Sequence, residues 1–142
     1  KTTEDKWFNT RYNRNYVFNV LVGKEWYVGK SRQNVFSINS KVTYQGGDRY
    51  SPVNLMLSQY RKDAVYDESN PYSCQLSPVL LAHLTVSYKI NKKKLSHEFS
   101  AKIMNITGYK EYYGYRYNFK NNNVEQERDA MIMPNISYKI EF

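Results

Sequence analysis

The sequence predicts an all-β fold, built as an antiparallel meander of about five long strands. Three observations predict it: apolar residues recur at every second position, the alternating segments run for about 9–14 residues, and short and long connections alternate. Helical periodicity is weak and confined to 53–60, where a short amphipathic turn or two is expected within a loop. The 142 residues leave room for one ordinary domain or for part of a larger one.

Five strands follow from the alternation, at about 15–28, 35–45, 80–91, 95–104 and 134–142. One predicted face has 28 positions, of which 25 are apolar; the opposite face also has 28, of which 6 are apolar. The polar face includes Asn19, Glu25, Ser37, Asn39, Lys41, Thr43, Gln45, Thr85, Ser87, Lys89, Glu98, Lys102, Ser137, Lys139 and Glu141. The sheet is therefore expected to have one apolar side and one polar side.

The predicted connections fall into two length classes. Short turns are expected at 29–34 and 92–94, and long loops at 46–79 and 105–133. Connections inside compact soluble domains usually span about 4–6 residues. Short turns at one end of a sheet and long loops at the other are typical of an outer-membrane β-barrel, and a mean hydropathy of −0.77 is compatible with alternating barrel strands.

The formal net charge of +8 first suggests a nucleic-acid partner. However, the two short turns alone carry +5, and the two long loops are nearly neutral. Because binding to a phosphate backbone needs one clustered basic surface, we expect no nucleic-acid partner. The basic turns are expected to meet lipid headgroups instead.

Chemistry-bearing residues are few. Neither His83 nor His97 has a Ser or Cys nucleophile at a motif spacing, and the single Cys74 excludes a disulfide framework and a cysteine-based zinc site. The acidic residues of 63–68 lack the spacing of a calcium-binding loop and are interpreted as solvated charges. We therefore expect no enzymatic activity, no metal and no cofactor.

The last predicted strand, NISYKIEF at 135–142, resembles the assembly signal of bacterial outer-membrane barrel proteins. The residues that carry this signal are Ile136, Tyr138, Ile140 and Phe142. Two other segments resemble TonB-dependent receptors from Bacteroidetes: YQGGDRY at 44–50 looks like their strand-to-loop junction, and KIMNITGYKEYY at 102–113 looks like their penultimate strand. The resemblance covers nearly the whole chain from about Trp7 onward.

This resemblance implies that the chain is the carboxy-terminal part of a 22-stranded transmembrane barrel in the bacterial outer membrane. Loops 46–79 and 105–133 would then be extracellular, together with residues 1–11, and turns 29–34 and 92–94 would be periplasmic. The implied partners are the remainder of the barrel, the plug domain, outer-membrane lipid, the barrel-assembly machinery, and TonB through an amino-terminal part absent from this sequence. Because it begins at Lys1 and shows no signal peptide, the chain is expected to be an excised or processed part.

The implied function is active uptake of a large nutrient, such as a siderophore, a cobalamin-like ligand, an oligosaccharide or a peptide. The candidate ligand contacts in the second long loop are Tyr109, Tyr112, Tyr113, Tyr115, Arg116 and Tyr117. Aromatic rings interleaved with basic residues can stack on sugars or flank an anionic group. Alternatively, these tyrosines extend strands four and five as a hairpin beyond the membrane and form an aromatic girdle.

A second reading of the whole chain remains open. In it, the apolar face is the core of a soluble β-sandwich, and the Tyr-rich segment 109–119 is a platform for a carbohydrate or another ligand. A sandwich needs two sheets, whereas the sequence predicts five strands of one amphipathic character. An isolated five-stranded sheet of this kind would have open edges and an exposed apolar surface, so it is expected to aggregate or to require detergent.

Overall fold

The computed structural model describes residues 7–30 and 33–142. Residues 1–6 of the predicted 1–11 loop and residues 31–32 of the predicted 29–34 turn lie outside the described residues. The chain divides into two compact units, each made of three segments. The sheet unit consists of Phe18–Tyr44, Leu80–Tyr109 and Met131–Phe142; the loop unit consists of Gln45–Val79, Lys110–Ala130 and the described part of Lys1–Val17.

The elements are, in chain order, β1 (Val17–Val28), β2 (Asn34–Gln45), β3 (Arg49–Tyr50), α1 (Leu55–Arg61), β4 (Cys74–Gln75), β5 (Val79–Asn91), β6 (Ser96–Met104), β7 (Glu111–Asn118), β8 (Asn123–Asp129) and β9 (Met133–Glu141). The all-β prediction is confirmed, because the described residues are mostly in antiparallel strands and include one short helix. Among the described residues, no helix is both long enough and apolar enough to span a membrane.

The sheet unit is one five-stranded sheet in the order β1-β2-β5-β6-β9. Each predicted strand is confirmed to within two residues at either end. The register of the last three strands is set by antiparallel pairs such as Tyr88 with Phe99 and Phe99 with Tyr138. The sheet is open, with β1 and β9 at its two edges.

Burial in the sheet unit is the reverse of that in a soluble protein. On the apolar face, Phe18, Val22 and Ile136 expose 61%, 65% and 87% of their surface. On the polar face, Ser37 and Thr43 are buried, with 5% and 9% exposed. Large apolar side chains normally bury themselves away from water, at about 25 cal/mol for each Å² covered. This sheet leaves its apolar side open and covers polar groups instead.

Hydrogen bonds between side chains connect the strands across the polar face. The Ser37 and Ser87 hydroxyls lie 2.6 Å apart, joining β2 to β5, and the Thr43 hydroxyl donates to Asn19 Oδ1 at 2.7 Å, joining β2 to β1. Further pairs join Ser100 to Ser137 at 2.6 Å, Lys89 to Glu141 at 2.7 Å, and Ser96 to Glu141 at 3.1 Å. Buried polar groups need such partners, so this face is internally satisfied.

The first long connection folds around α1 and a short β3–β4 ladder. Asn54 caps the helix, since its Oδ1 accepts the Leu57 N–H at 3.1 Å, and Lys62 ends it in a left-handed conformation. Ser58 is fully buried; its hydroxyl donates to the Asn54 carbonyl at 2.7 Å and accepts the Val65 N–H at 2.9 Å. A short helix is therefore confirmed near the expected 53–60 and is held by polar contacts, but its amphipathic packing is not: Met56 and Tyr60 are 81% and 85% exposed, and Ser58 is the buried side chain.

The second long connection is not an irregular loop. β7 and β8 pair as an antiparallel hairpin in a two-stranded sheet of their own. The interpretation in which strands four and five simply continue as this hairpin is therefore wrong. β6 ends at Met104, where Asn105 adopts a positive φ of 56°; its Oδ1 accepts the Tyr109 N–H at 3.0 Å and closes a turn.

Gly46 and Gly47 allow the backbone of the loop unit to approach closely at Arg14 and Leu76. A Cβ on Gly46 would lie 1.8 Å from the Arg14 carbonyl oxygen, and one on Gly47 would lie 2.2 Å from the Leu76 carbonyl oxygen. No side chain fits at such distances, so only glycine is compatible with this packing. Gly46 and Gly47 directly follow β2, and their lack of side chains permits this close backbone contact.

Candidate functional site

Four tyrosines form a cluster in the loop unit. Tyr50 on β3 lies 5.7 Å from the Tyr112 ring and 5.8 Å from the Tyr115 ring, measured between centroids. Tyr112 and Tyr115 are 5.8 Å apart at 76°, and Tyr66 meets Tyr115 edge-on at 6.3 Å. These separations and tilts are those that aromatic pairs prefer. The cluster therefore joins segments that are more than 40 residues apart in sequence.

A β-bulge places Tyr112 and Tyr115 on the same face of the hairpin. The register shifts between Tyr112 and Gly114, so Tyr112 faces Arg128 whereas Tyr115 faces Gln126. Residues three apart on a regular strand point to opposite sides, and the extra residue reverses this parity. Gly114 adopts a φ of +141°, and the backbone N–H of Tyr115 donates to the Tyr66 hydroxyl at 3.0 Å.

The environment of the cluster suppresses ionisation of its phenols. Tyr112 is buried, and this burial raises its pKa, with the neighbouring Tyr66 phenol adding to the effect. Burial, followed by the Tyr115 phenol, also raises the pKa of Tyr50. An apolar environment disfavours the charged phenolate, so both groups stay protonated at physiological pH. At physiological pH the cluster therefore consists of aromatic rings and uncharged hydroxyl groups.

A cavity of about 280 Å³ lies beside this cluster. Its lining consists of Arg11, Arg49, Tyr50, Ser51, Tyr66, Tyr72, Tyr112 and Tyr113. Of the six ligand contacts predicted from the sequence, Tyr112 and Tyr113 line this cavity, and Tyr115 packs behind it in the cluster. The structure thus assembles the site from three separate segments of the chain.

The other three predicted contacts lie elsewhere. Tyr109 belongs to the sheet unit, where its backbone is held by Asn105. Arg116 points away from the tyrosine cluster and pairs with Glu127 at 3.4 Å, mostly exposed to solvent. Tyr117 is buried against Phe119, with ring centroids 5.2 Å apart, and its hydroxyl hydrogen-bonds to Asn122. These three residues are close to Tyr112 and Tyr113 in sequence, but the folded chain places their side chains outside the cavity.

Two arginines pair with the carboxylate of Asp48, and Arg49 directly follows Asp48 in the sequence. Arg14 Nε donates to Asp48 Oδ1 at 2.6 Å, and Arg11 Nε lies 3.6 Å from Asp48 Oδ2. Arg49 has no acidic partner among the described residues: its Nε donates to the Asn13 carbonyl at 3.0 Å and its Nη2 reaches Asn15 Oδ1 at 3.4 Å. This group is not evident from the sequence, because residues 11–14 and 48–49 are distant in the chain.

Aromatic side chains recur near the turn ends of all five strands, on the exposed face of the sheet unit. Every strand contributes one ring within three residues of its turn end: Trp26, Phe36, Tyr88, Phe99 and Tyr138. The Trp26 and Phe36 rings lie 5.7 Å apart, and the Phe99 and Tyr138 rings lie 4.7 Å apart. Towards the middle of the strands this face is mostly aliphatic, with residues such as Val20, Val22 and Ile38.

The four residues of the predicted assembly signal lie on this same side of the sheet. Ile136, Tyr138, Ile140 and Phe142 are all exposed, Ile136 and Phe142 almost completely. His97, a polar exception on the face, stacks on Tyr138 and shares a hydrogen bond of 2.7 Å between its Nδ1 and the Tyr138 hydroxyl. The imidazole is therefore satisfied without disturbing the apolar surface.

A hollow of about 330 Å³ occupies the polar side of the sheet unit. Three of its lining side chains are basic, namely Lys41, His83 and Lys102, and none is acidic. Across the parts of the chain that the structure describes, no three His, Cys, Asp or Glu side chains are grouped so that they could hold a metal ion. Asp67, from the acidic stretch 63–68, instead accepts hydrogen bonds from Ser69, which lower its pKa.

No known family model, curated protein or solved structure matches this chain. The fold class is therefore defined by the molecule itself: an all-β protein with a long, open antiparallel sheet and a loop unit that holds an aromatic, basic cavity.

Proposed function

We propose that this chain is five strands of the wall of a TonB-dependent outer-membrane receptor from Bacteroidetes, together with two of its extracellular loops. The whole receptor would take up a large nutrient actively, with energy supplied through TonB. The chain itself would contact outer-membrane lipid, the remaining strands of a 22-stranded barrel and the plug domain. It would have no catalytic role.

The observation that carries this proposal is the exposed apolar face with its row of aromatic rings. Transmembrane barrels present an apolar band to lipid, flanked by aromatic girdles at the membrane surfaces. In the proposed barrel, Trp26, Tyr88 and Tyr138, near the turn ends of their strands, would form such a girdle, and the aliphatic residues beyond them would face the acyl chains. The hydrogen-bonded polar face would line the interior.

Strand and connection lengths support the same proposal. The strands have 12, 12, 13, 9 and 9 residues, and a tilted membrane-spanning strand needs about 9–11. The two short connections lie at the end with the aromatic row, and the two long ones at the other end. In barrels of this kind, short turns are periplasmic and long loops extracellular.

The soluble sandwich fits these observations less well. A sandwich would cover the apolar face with a second sheet, about 10 Å away, and bury it as a core. Phe18, Val22, Phe99 and Ile136 are instead half or more exposed. A surface of this extent on a soluble monomer would promote aggregation.

We further propose that β9 acts as the assembly signal. Its four outward apolar residues present an uninterrupted surface, and β9 is an edge strand of the sheet. An edge strand has free backbone groups that another strand can pair with. The assembly machinery would recognise this strand before barrel closure.

The reading frame that encodes the chain provides the test. The proposal expects upstream coding sequence for a signal peptide, a plug domain and about 17 further amphipathic strands. The encoded protein should fractionate with the outer membrane and require detergent for extraction. A signal peptide placed directly before Lys1, or a detergent-free compact monomer, would overturn the proposal.

A further inference from the structure

The cavity beside the tyrosine cluster has an excess of positive charge. Arg11 and Arg14 share the carboxylate of Asp48, at 3.6 Å and 2.6 Å, and Arg49 has no acidic partner among the described residues. None of the eight residues that line the cavity is acidic. Three guanidinium groups thus share one carboxylate among the described residues, and this excess of positive charge favours an anion in the cavity.

Arg49, which lines the cavity, retains hydrogen-bonding capacity. A guanidinium carries five N–H donors, and the described contacts of Arg49 use one on Nε and one on Nη2. The Arg49 Nη1 group has no partner among the described residues. Arg11 donates from Nη2 to the Tyr112 carbonyl at 3.0 Å, and its buried Nε lies 3.6 Å from Asp48 Oδ2 without a hydrogen bond. Such planar donors match the oxygens of carboxylates and phosphates in bidentate fashion, and we take the smaller carboxylate for this small cavity.

The remaining lining is aromatic and partly open. Tyr66 and Tyr72 are each 38% exposed and Tyr113 is 52% exposed, so these rings are accessible at the cavity. Exposed aromatic faces bind flat or apolar ring surfaces by stacking. The volume of about 280 Å³ is at the small end of ligand pockets, enough for one six-membered ring and its substituent.

We infer that this cavity binds a six-membered ring that bears a carboxylate, as one group of a larger ligand. This inference rests on the proposed function, because it names the chemistry that the receptor's loops would recognise. Arg49 and Arg11 would donate to the carboxylate, and Tyr72 and Tyr113 would contact the ring. Acidic sugars and aromatic acids share this chemistry.

Binding of three small probes to the full chain in detergent micelles tests the inference. Glucuronate supplies a carboxylate on a sugar ring, benzoate supplies one on an aromatic ring, and glucose lacks the charge. Saturation-transfer NMR and titration of tyrosine fluorescence measure the affinities. We expect glucuronate or benzoate to bind at least about tenfold more tightly than glucose, since hydrogen bonds to a charged group contribute about that much.

Two variants and a matched control localise the site. Arg49→Gln should lower the affinity for the charged probe about tenfold, and Tyr113→Leu should lower it several-fold because a ring contact is lost. Arg61→Gln removes the same charge from α1, outside the cavity, and should change the affinity less than twofold. Because the Tyr113 side chain is half exposed, we expect Tyr113→Leu to fold normally. This variant therefore still tests the site if Arg49→Gln unfolds the loop unit.

The outcomes distinguish an acidic sugar from an aromatic acid, and they distinguish failure of the ligand inference from failure of the proposed receptor function. Preference for glucuronate supports an acidic sugar, and preference for benzoate supports an aromatic acid. Three results would overturn the inference. They are equal affinity for glucose and glucuronate without benzoate binding, no binding of any probe, and a loss of affinity in Arg61→Gln equal to that in Arg49→Gln. The proposed receptor role is tested separately by membrane association, so insertion without binding refutes only the ligand, and binding by a soluble monomer refutes only the receptor.

Discussion

The Phe99 ring on β6 lies against the Tyr138 ring on β9, with centroids 4.7 Å apart and planes inclined by 30°. The two residues are also directly paired in the strand register, and about half of each side chain is exposed. A soluble protein would normally cover such a pair. Here it belongs to a row of five rings that crosses the sheet on its open side.

This pair should contribute measurably to the stability of the sheet. We expect a double-mutant cycle with Phe99→Leu and Tyr138→Leu to give a coupling energy of about 0.5–1 kcal/mol, the usual range for cross-strand aromatic pairs. Denaturant unfolding of the chain in detergent micelles measures it. The pair Phe99→Leu with Val20→Ala provides the control, since these residues lie on β6 and β1 and should show no coupling. Equal coupling in both cycles would contradict the stacking contribution.

Gly114 should be required for the tyrosine cluster. Gly114→Ala would place a methyl group 3.2 Å from the Tyr66 hydroxyl at a φ of +141°, where side chains other than hydrogen are strained. We expect a destabilisation of about 1–3 kcal/mol, measured by urea unfolding. Gly108→Ala is the control: its φ is +63°, no atom lies within 4 Å of the new methyl, and the cost should be near the lower limit. An equal loss of stability in Gly114→Ala and Gly108→Ala would contradict a specific requirement for glycine at the bulge.

The tyrosine cluster should show a distinct pH dependence. Burial raises the pKa of Tyr112 above the ordinary value of about 10, because the folded state favours the neutral phenol. The resulting stabilisation is fully present below about pH 10 and is lost as the pH rises through the raised pKa of the folded state. The tyrosinate absorbance that Tyr112→Phe removes should therefore appear only above pH 10. If the tyrosinate absorbance that is lost in Tyr112→Phe has its midpoint at or below pH 10, the proposed burial effect on Tyr112 is contradicted.

The sheet could be predicted from the sequence because its physical signal is local. Alternation with a period of two in segments such as 80–91 and 95–104 specifies both strand and face, and the observed bounds differ by at most two residues. β8 was missed for the same reason: NVEQERD has no apolar alternation, so only its pairing with β7 makes it a strand. Pairing between segments is not encoded in the periodicity of either one.

The cavity was only partly predictable. Tyr112 and Tyr113 were identified from the density of aromatics in 109–119, whereas Arg11, Arg49 and Tyr66 come from other segments. The bulge beside Gly114 also reverses the alternation that would have separated Tyr112 from Tyr115. The signal available in sequence was the YQGGDRY segment at 44–50, whose two glycines permit close packing and whose Arg49 and Tyr50 enter the site.

Two neighbouring residues of β1 test the central claim, that the apolar face contacts lipid. Leu21 and Val22 are both aliphatic and exposed, at 74% and 65%, but they point to opposite sides of the strand. In water, Lys at either position would have a small effect. In a membrane barrel, Lys costs about 2–4 kcal/mol on the lipid face near the bilayer midplane, whereas an interior position stays hydrated.

The measurement is flotation of the refolded chain with phosphatidylcholine vesicles. The account predicts that Val22→Lys lowers the ratio of vesicle-bound to free chain at least about 30-fold, corresponding to about 2 kcal/mol, while Leu21→Lys changes it less than about threefold. Equal effects of the two substitutions, or a wild-type chain that remains free and monomeric without lipid, would contradict it.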